Sequence, residues 1–130
     1  MSSPTAPSAT ARPIFLSPSA GEHFRLLNEE IRILADGSAT RGQCVIFVES
    51  TKPGDGPPLH RHSVDDEFFF ILEGSYRFLV EGQNYVAEPG AFLFAPRGSV
   101  HTFQARTAGP GGLCRMLVVC TPSGLEGPFR

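Results

Sequence analysis

The sequence predicts an all-β protein, an antiparallel sandwich or barrel, on three observations. Short runs of β-branched and aromatic residues recur along the chain. Fourteen glycines and twelve prolines punctuate them. The turns they make link one run to the next at short, regular intervals. At 130 residues the chain is expected to form one domain around a single modest core. Its 41% apolar and 18% charged residues are those of a globular protein.

Residues 1–13, MSSPTAPSATARP, carry no apolar period and too little apolar surface to offset the entropy of ordering, so they read as a flexible arm. Residues 14–130 form the single domain. A short helical turn is expected around residues 21–30. QCVIFVES (43–50) is a strand that ends in the Pro/Gly loop TKPGDGPP. DEFFFIL (66–72) is a strand stopped by Glu73-Gly74. SYRFLV (75–80) starts at once, so the two should pair as a hairpin. Glu81-Gly82 makes the next turn. QNYVA (83–87), AFLFA (91–95), HTFQA (101–105) and CRMLVVC (114–120) follow, separated by EPG, PRGS and AGPGG. In DEFFFIL both faces are apolar: Phe68, Phe70 and Leu72 alternate with Phe69 and Ile71. One face can fill an interior. The other needs a second sheet or a second subunit, and a homodimer is expected.

Composition excludes several partners. Eleven basic against thirteen acidic side chains leave a net charge of −2, with no basic block for nucleic acid. The longest apolar runs, such as MLVVC, are too short to cross a bilayer. The N-terminus lacks the basic and apolar regions of a secretory signal. Cys44, Cys114 and Cys120 match no zinc or redox spacing and read as reduced, buried cysteines of a cytoplasmic protein, with a Cys114–Cys120 disulfide as the alternative. Met116, Val118 and the cysteines of the last strand read as core.

The chemistry concentrates in LHRHSVDDEFFF (59–70), which holds two of the four histidines. Residues two apart in an extended chain point the same way, so His60 and His62 project together, about 7 Å apart at the backbone. Four residues later comes Glu67, which faces alike with Phe69 and Ile71. A buried carboxylate among aromatics would be driven to take up a proton, and a divalent cation removes that cost. Asp65 and Asp66 read as solvated turn residues, either of which replaces Glu67 as ligand if a bulge shifts the register. A further donor is needed. His101 opens HTFQA after a Pro/Gly turn, whereas His23 lies outside any such context. Three imidazoles and one carboxylate suit one divalent transition ion per chain (Fe, Mn, Co, Ni, Cu or Zn) and suit Mg or Ca poorly. Parity places Phe69, Ile71 and Phe103 with these ligands, as candidate walls of a substrate pocket.

The spacing resembles a known family at this point. Gly54, His60, His62, Glu67 and Gly74 match every fixed position of the first motif of the cupins. Gly90, Pro96, Gly98 and His101 match the second, whose final Asn is Ala105 here. The resemblance implies a jelly-roll barrel, an antiparallel double-stranded β-helix, holding a metal on His60, His62, Glu67 and His101. The approach and the DEFFF strand look similar to those of flavonol-cleaving dioxygenases. The implied function is a metal-dependent oxygenase acting on a small chelating enol, flavonol or β-dicarbonyl, with Glu67 as ligand and catalytic base. Two alternatives stand beside it: a non-redox isomerase, lyase or polyketide-type cyclase, and a non-catalytic binding protein.

Overall fold

The structure, a computed structural model, describes residues 12–125 other than residue 27, together with residue 127. The expected arm lies outside the described residues except for its last two positions. Ten strands and one short helix follow in the order β1 (Glu22–Leu26), β2 (Glu29–Ala35), α1 (Gly37–Thr40), β3 (Val45–Thr51), β4 (His60–Arg61), β5 (Asp66–Glu73), β6 (Tyr76–Val80), β7 (Gln83–Ala87), β8 (Phe92–Ala95), β9 (Val100–Ala105) and β10 (Cys114–Thr121). They form a six-stranded sheet, β1-β2-β3-β10-β5-β8, and a four-stranded sheet, β4-β9-β6-β7. The pairings are antiparallel, as a jelly-roll barrel requires. Among the described residues no helix is long and apolar enough to cross a membrane.

The period-two pattern sets which side chains fill the interior. In β10, Cys114, Met116, Val118 and Cys120 are buried while their neighbours are only partly so. In β5, Glu67, Phe69 and Ile71 turn inward, and Phe70 and Leu72 face out. Phe69 and Phe78 meet across the two sheets with ring centroids 5.1 Å apart, and Phe103 packs against Phe78 and Tyr76 at 5.7 Å from each. These rings form the floor on which the histidines stand. Their tilted and edge-on contacts add to the burial of a large apolar area.

Three expectations need correction. The segment around residues 21–30 is not a helical turn: it belongs to the β1–β2 hairpin. Glu and Leu favour helix locally. Pairing of β2 with β3 and burial of Ile31 and Ile33 against the core override that preference. The strands 66–72 and 75–80 do not pair as a hairpin, because β5 lies in the six-stranded sheet and β6 in the four-stranded one. Between them Gly74, at φ 70°, turns a corner of the barrel. A Cβ there would stand 2.7 Å from the Thr107 carbonyl oxygen and 2.8 Å from Cys114 Sγ. Ser75 N–H donates to Thr107 O and Arg106 N–H to Ser75 O, which staples the corner in place. The disulfide alternative also falls. Cys114 and Cys120 are both free and lie six residues apart along one strand, about 20 Å, beyond the reach of a bridge. The turn at Glu81-Gly82 is as expected: both residues have positive φ and join Val80 to Gln83 in a two-residue hairpin.

Candidate metal centre

Register brings the histidines together. His60 of β4 pairs directly with His101 of β9, and their ring centroids lie 4.6 Å apart. His62 follows one residue beyond β4, 5.0 Å from His60 and 5.7 Å from His101 between centroids. Glu67 comes from the other sheet, between Ala95 of β8 and Cys120 of β10. The loop that delivers β4 is fastened along β9. Gly54 N–H donates to Ala105 O, Ala105 N–H to Asp55 O, and the Thr102 hydroxyl to Pro57 O. Ala105 thus anchors the loop through its backbone, and the Gln104 amide donates to Gly54 O as well. A second tie runs from Gly98 N–H to His62 O.

One ligand-type atom from each of His60, His62, Glu67 and His101 lies within 4.8 Å of every other. Atoms bound about 2.1 Å from a common ion stand about 3 to 4 Å apart, so the cluster has the dimensions of a coordination shell. The opposite nitrogen of each ring is already engaged. His60 Nδ1 donates to Pro58 O at 2.8 Å, His62 Nδ1 to the Asp65 carboxylate at 3.1 Å, and His101 Nδ1 to Ser99 O at 3.3 Å. In its neutral form, a ring held in this way would present the Nε2 lone pair to the cluster. His101 Nε2 then faces Glu67 Oε1 at 2.7 Å, and His62 Nε2 faces the same oxygen at 3.5 Å. Lone pairs converging on a carboxylate demand positive charge between them, which a divalent cation or protons supply. The donor set therefore fits a first-row transition ion.

The titration behaviour has the same origin. Burial alone would raise the Glu67 carboxyl, but its hydrogen bond with His101 and the charges of His62, His101 and His60 outweigh that and hold it below the ordinary carboxylate value. Burial would lower His101; the hydrogen bond and charge of Glu67, with Ser99 O, raise it instead. Cys120, whose Sγ lies 3.6 Å from Glu67 Oε2, is pushed up by burial and then by the charges of Glu67 and Asp65.

His60, His62 and Glu67 open into a cavity of about 250 Å³ whose apolar walls include Ile31, Phe47, Phe69 and Phe103. His101 is buried behind them. Ile71 is buried in the core on the same face as Phe69 and is not part of the cavity wall. Asp65 is not a solvated turn residue. It is buried, and both its oxygens lie against His62 Nδ1. Asp66 is half-buried and accepts from the backbone N–H and side chain of Arg97, so neither aspartate takes the place of Glu67 in the cluster. His23 is exposed, with Nε2 3.2 Å from Ser19 O.

Among the cavity residues that the sequence did not single out are two acids, Glu29 of β2 and Glu49 of β3. Glu49 was detectable in principle, as an acid on the inward parity of Val45 and Phe47 within QCVIFVES. Burial, then the hydrogen bond and charge of Glu29, then the charge of Glu67 keep its carboxyl well above the ordinary value.

Comparison with known proteins agrees with this architecture. The family described as Cupin domain matches residues 47–120. Quercetin 2,3-dioxygenase of Bacillus subtilis (strain 168) is 31% identical over 113 residues, covering 85% of this chain. The chain spans only 32% of that relative's length. The structure of KdgF from Halomonas sp. superposes with a TM-score of 0.77 at 14% identity, covering 89% of this chain and 99% of that one. The polyketide cyclase RemF from Streptomyces resistomycificus superposes at 0.71 with 24% identity, covering 86% and 81%. At these identities the two solved structures speak for the fold. The matched span runs from within β3 to the last residue but one of β10 and carries all four converging residues, and the chain belongs to the cupin family.

Proposed function

We propose that this chain is a metal-dependent dioxygenase whose substrate is a small enol, a flavonol or a β-dicarbonyl, bound through two adjacent oxygens to an ion on His60, His62, Glu67 and His101. One observation carries the reading: three imidazoles, each tethered through Nδ1, converge with one carboxylate at the wall of an aromatic cavity. Three neutral imidazoles and one carboxylate around a dication leave a net positive charge that favours a chelating enolate. The ion would supply Lewis acidity towards the enol and, if redox-active, a path for electrons to O₂. Glu67 holds a position from which its carboxylate accepts the proton leaving the substrate hydroxyl. Phe69 and Phe103 exclude water and place the substrate's ring, while Ile71 supports Phe69 from the core. The relationship to quercetin 2,3-dioxygenase supports the oxygenase class.

The test is elemental analysis of untagged protein purified without chelators, followed by O₂ uptake with a flavonol. Near-stoichiometric iron, manganese, cobalt, nickel or copper together with O₂ consumption supports the proposal. A second reading has its own observation, the buried carboxyl of Glu49 among the cavity residues, raised above its ordinary value by burial and then by Glu29, which suits proton transfer in a non-redox isomerase, lyase or cyclase. Zinc in the purified protein and turnover without O₂ would select it. Ligand affinity without turnover would leave a binding protein.

The assembly belongs to the proposal too. On the outer face of β5 and the edge strand β8, Phe70, Phe92 and Phe94 are 41%, 62% and 44% exposed, and Phe68 stacks on Phe94 at 4.8 Å. This face is assigned to a homodimer. A reducing compartment, the cytoplasm, is proposed for the chain, a reading supported by the three unpaired cysteines among the described residues.

A further inference from the structure

Glu49 is buried without an evident structural reason. It lies on β3 opposite Ile31 of β2 and Met116 of β10, neither of which offers its side chain a hydrogen bond. It is 6% exposed, on the inward face shared with Val45, Phe47 and Thr51. Among the described residues its Oε2 is the one buried side-chain oxygen or nitrogen that lacks a hydrogen-bond partner. Leaving such an atom unpaired is destabilising, and a barrel interior of Val, Phe and Met has no packing need for an acid there. Burial first, and then the neighbouring Glu29 carboxyl, raise the Glu49 carboxyl above its ordinary value. Both residues are among those that line the cavity into which His60, His62 and Glu67 open. A carboxyl in this setting can keep its proton, and a neutral carboxyl both donates and accepts.

We propose that Glu49 determines substrate specificity: its free Oε2 hydrogen-bonds a hydroxyl or carbonyl oxygen of the substrate other than the two held at the metal centre. The inference rests on the reading of that centre as a chelating site and adds what the rest of the substrate must carry. The favoured class is a neutral, polyoxygenated chelating enol. A substrate with a second anionic group is disfavoured, because Glu29, Glu49 and Glu67 already crowd the cavity with carboxyls.

The experiment is an anaerobic absorbance titration of the metal-loaded full chain, its loading checked by elemental analysis. The probes are 3-hydroxyflavone and its analogue carrying one additional hydroxyl on each outer ring. The wild type is expected to bind the hydroxylated analogue about tenfold more tightly, the effect of one gained hydrogen bond. Glu49→Leu abolishes that preference while binding 3-hydroxyflavone at least as well. Glu49→Met, closer in shape, carries the same expectation, and Glu49→Gln keeps part of the preference because its amide still donates and accepts. The thermal midpoint of metal-free Glu49→Leu should equal or exceed that of the wild type, whereas removal of a merely structural residue would lower it. If the wild type binds both flavonols equally, or Glu49→Leu keeps the preference, the Glu49 proposal falls and the chelating site stands. If the loaded wild type binds neither flavonol, the chelating reading falls and takes this proposal with it.

Discussion

Asp65 acts on the centre through another side chain. Its carboxylate accepts from His62 Nδ1 and contributes no atom to the converging cluster, so it sets the ring's tautomer and orientation. Losing such a partner typically weakens metal affinity by about 10- to 100-fold. Asp65→Ala should show that loss in a competitive metal titration while keeping the wild-type circular dichroism spectrum. The candidate ligands themselves should respond more severely. His62→Ala and His101→Ala should each leave most chains without metal by elemental analysis, and lower the thermal midpoint in metal-containing buffer. Full metal content in both variants would refute the four-ligand assignment. Glu49 makes a pH prediction of defined sign. Burial and Glu29 raise its carboxyl above the ordinary 4.5 in the folded chain, so the folded state holds this proton more tightly than the unfolded one. Its contribution to stability is fully present below 4.5 and is lost as pH rises through the raised folded value. Denaturant midpoints of the metal-free chain should therefore fall with rising pH relative to those of Glu49→Gln. Parallel profiles would contradict that account.

Corners matter at the next scale. The chain leaves β5, passes Gly74 and enters β6 in the opposite sheet, which carries the inward face of β5 across from that of β6 and closes the barrel over Phe69 and Phe78. Gly74→Ala would force a non-glycine residue to φ 70° and drive its Cβ into the Thr107 carbonyl oxygen and Cys114 Sγ. The expected loss is roughly 2 kcal/mol, read as a lower denaturant midpoint at unchanged slope. Expectation failed at this corner for a physical reason. Glu73-Gly74 has the composition of a hairpin turn, and nothing in the six flanking residues reports that Thr107 and Ser75 will pair instead. The β1–β2 hairpin was missed differently. EEIRILA carries its strand period in Ile31 and Ile33, but β1 is largely exposed and has little apolar patterning to read.

Across the whole molecule the centre joins the two sheets. His60, His62 and His101 belong to the four-stranded sheet or its margin, and Glu67 to the six-stranded one. An ion on these four residues is expected to clamp the barrel, which is why metal loss and thermal destabilisation should travel together. The outer aromatic face of β5 and β8 makes a prediction at this scale. Sedimentation of the wild type at micromolar concentration should give a dimer, and Phe92→Lys should shift it to monomer without changing metal content. A monomeric wild type would remove the homodimer from the proposal.

The local chemistry was legible in the chain. Period-two alternation put Glu67, Phe69 and Ile71 on one inward face and His101 with Phe103 on another, because the pleat of a strand needs no tertiary information. The four converging residues followed from donor type and spacing. What the tertiary structure decided are the relations between strands distant in sequence. It placed His60 opposite His101 across 41 residues of chain, made Asp65 the partner of His62 rather than a solvated turn residue, and set Glu49 and Glu29 into the same cavity as the histidines. Such relations depend on register and on which sheet a strand joins. Those are selected by the burial of the whole core, which no single segment encodes.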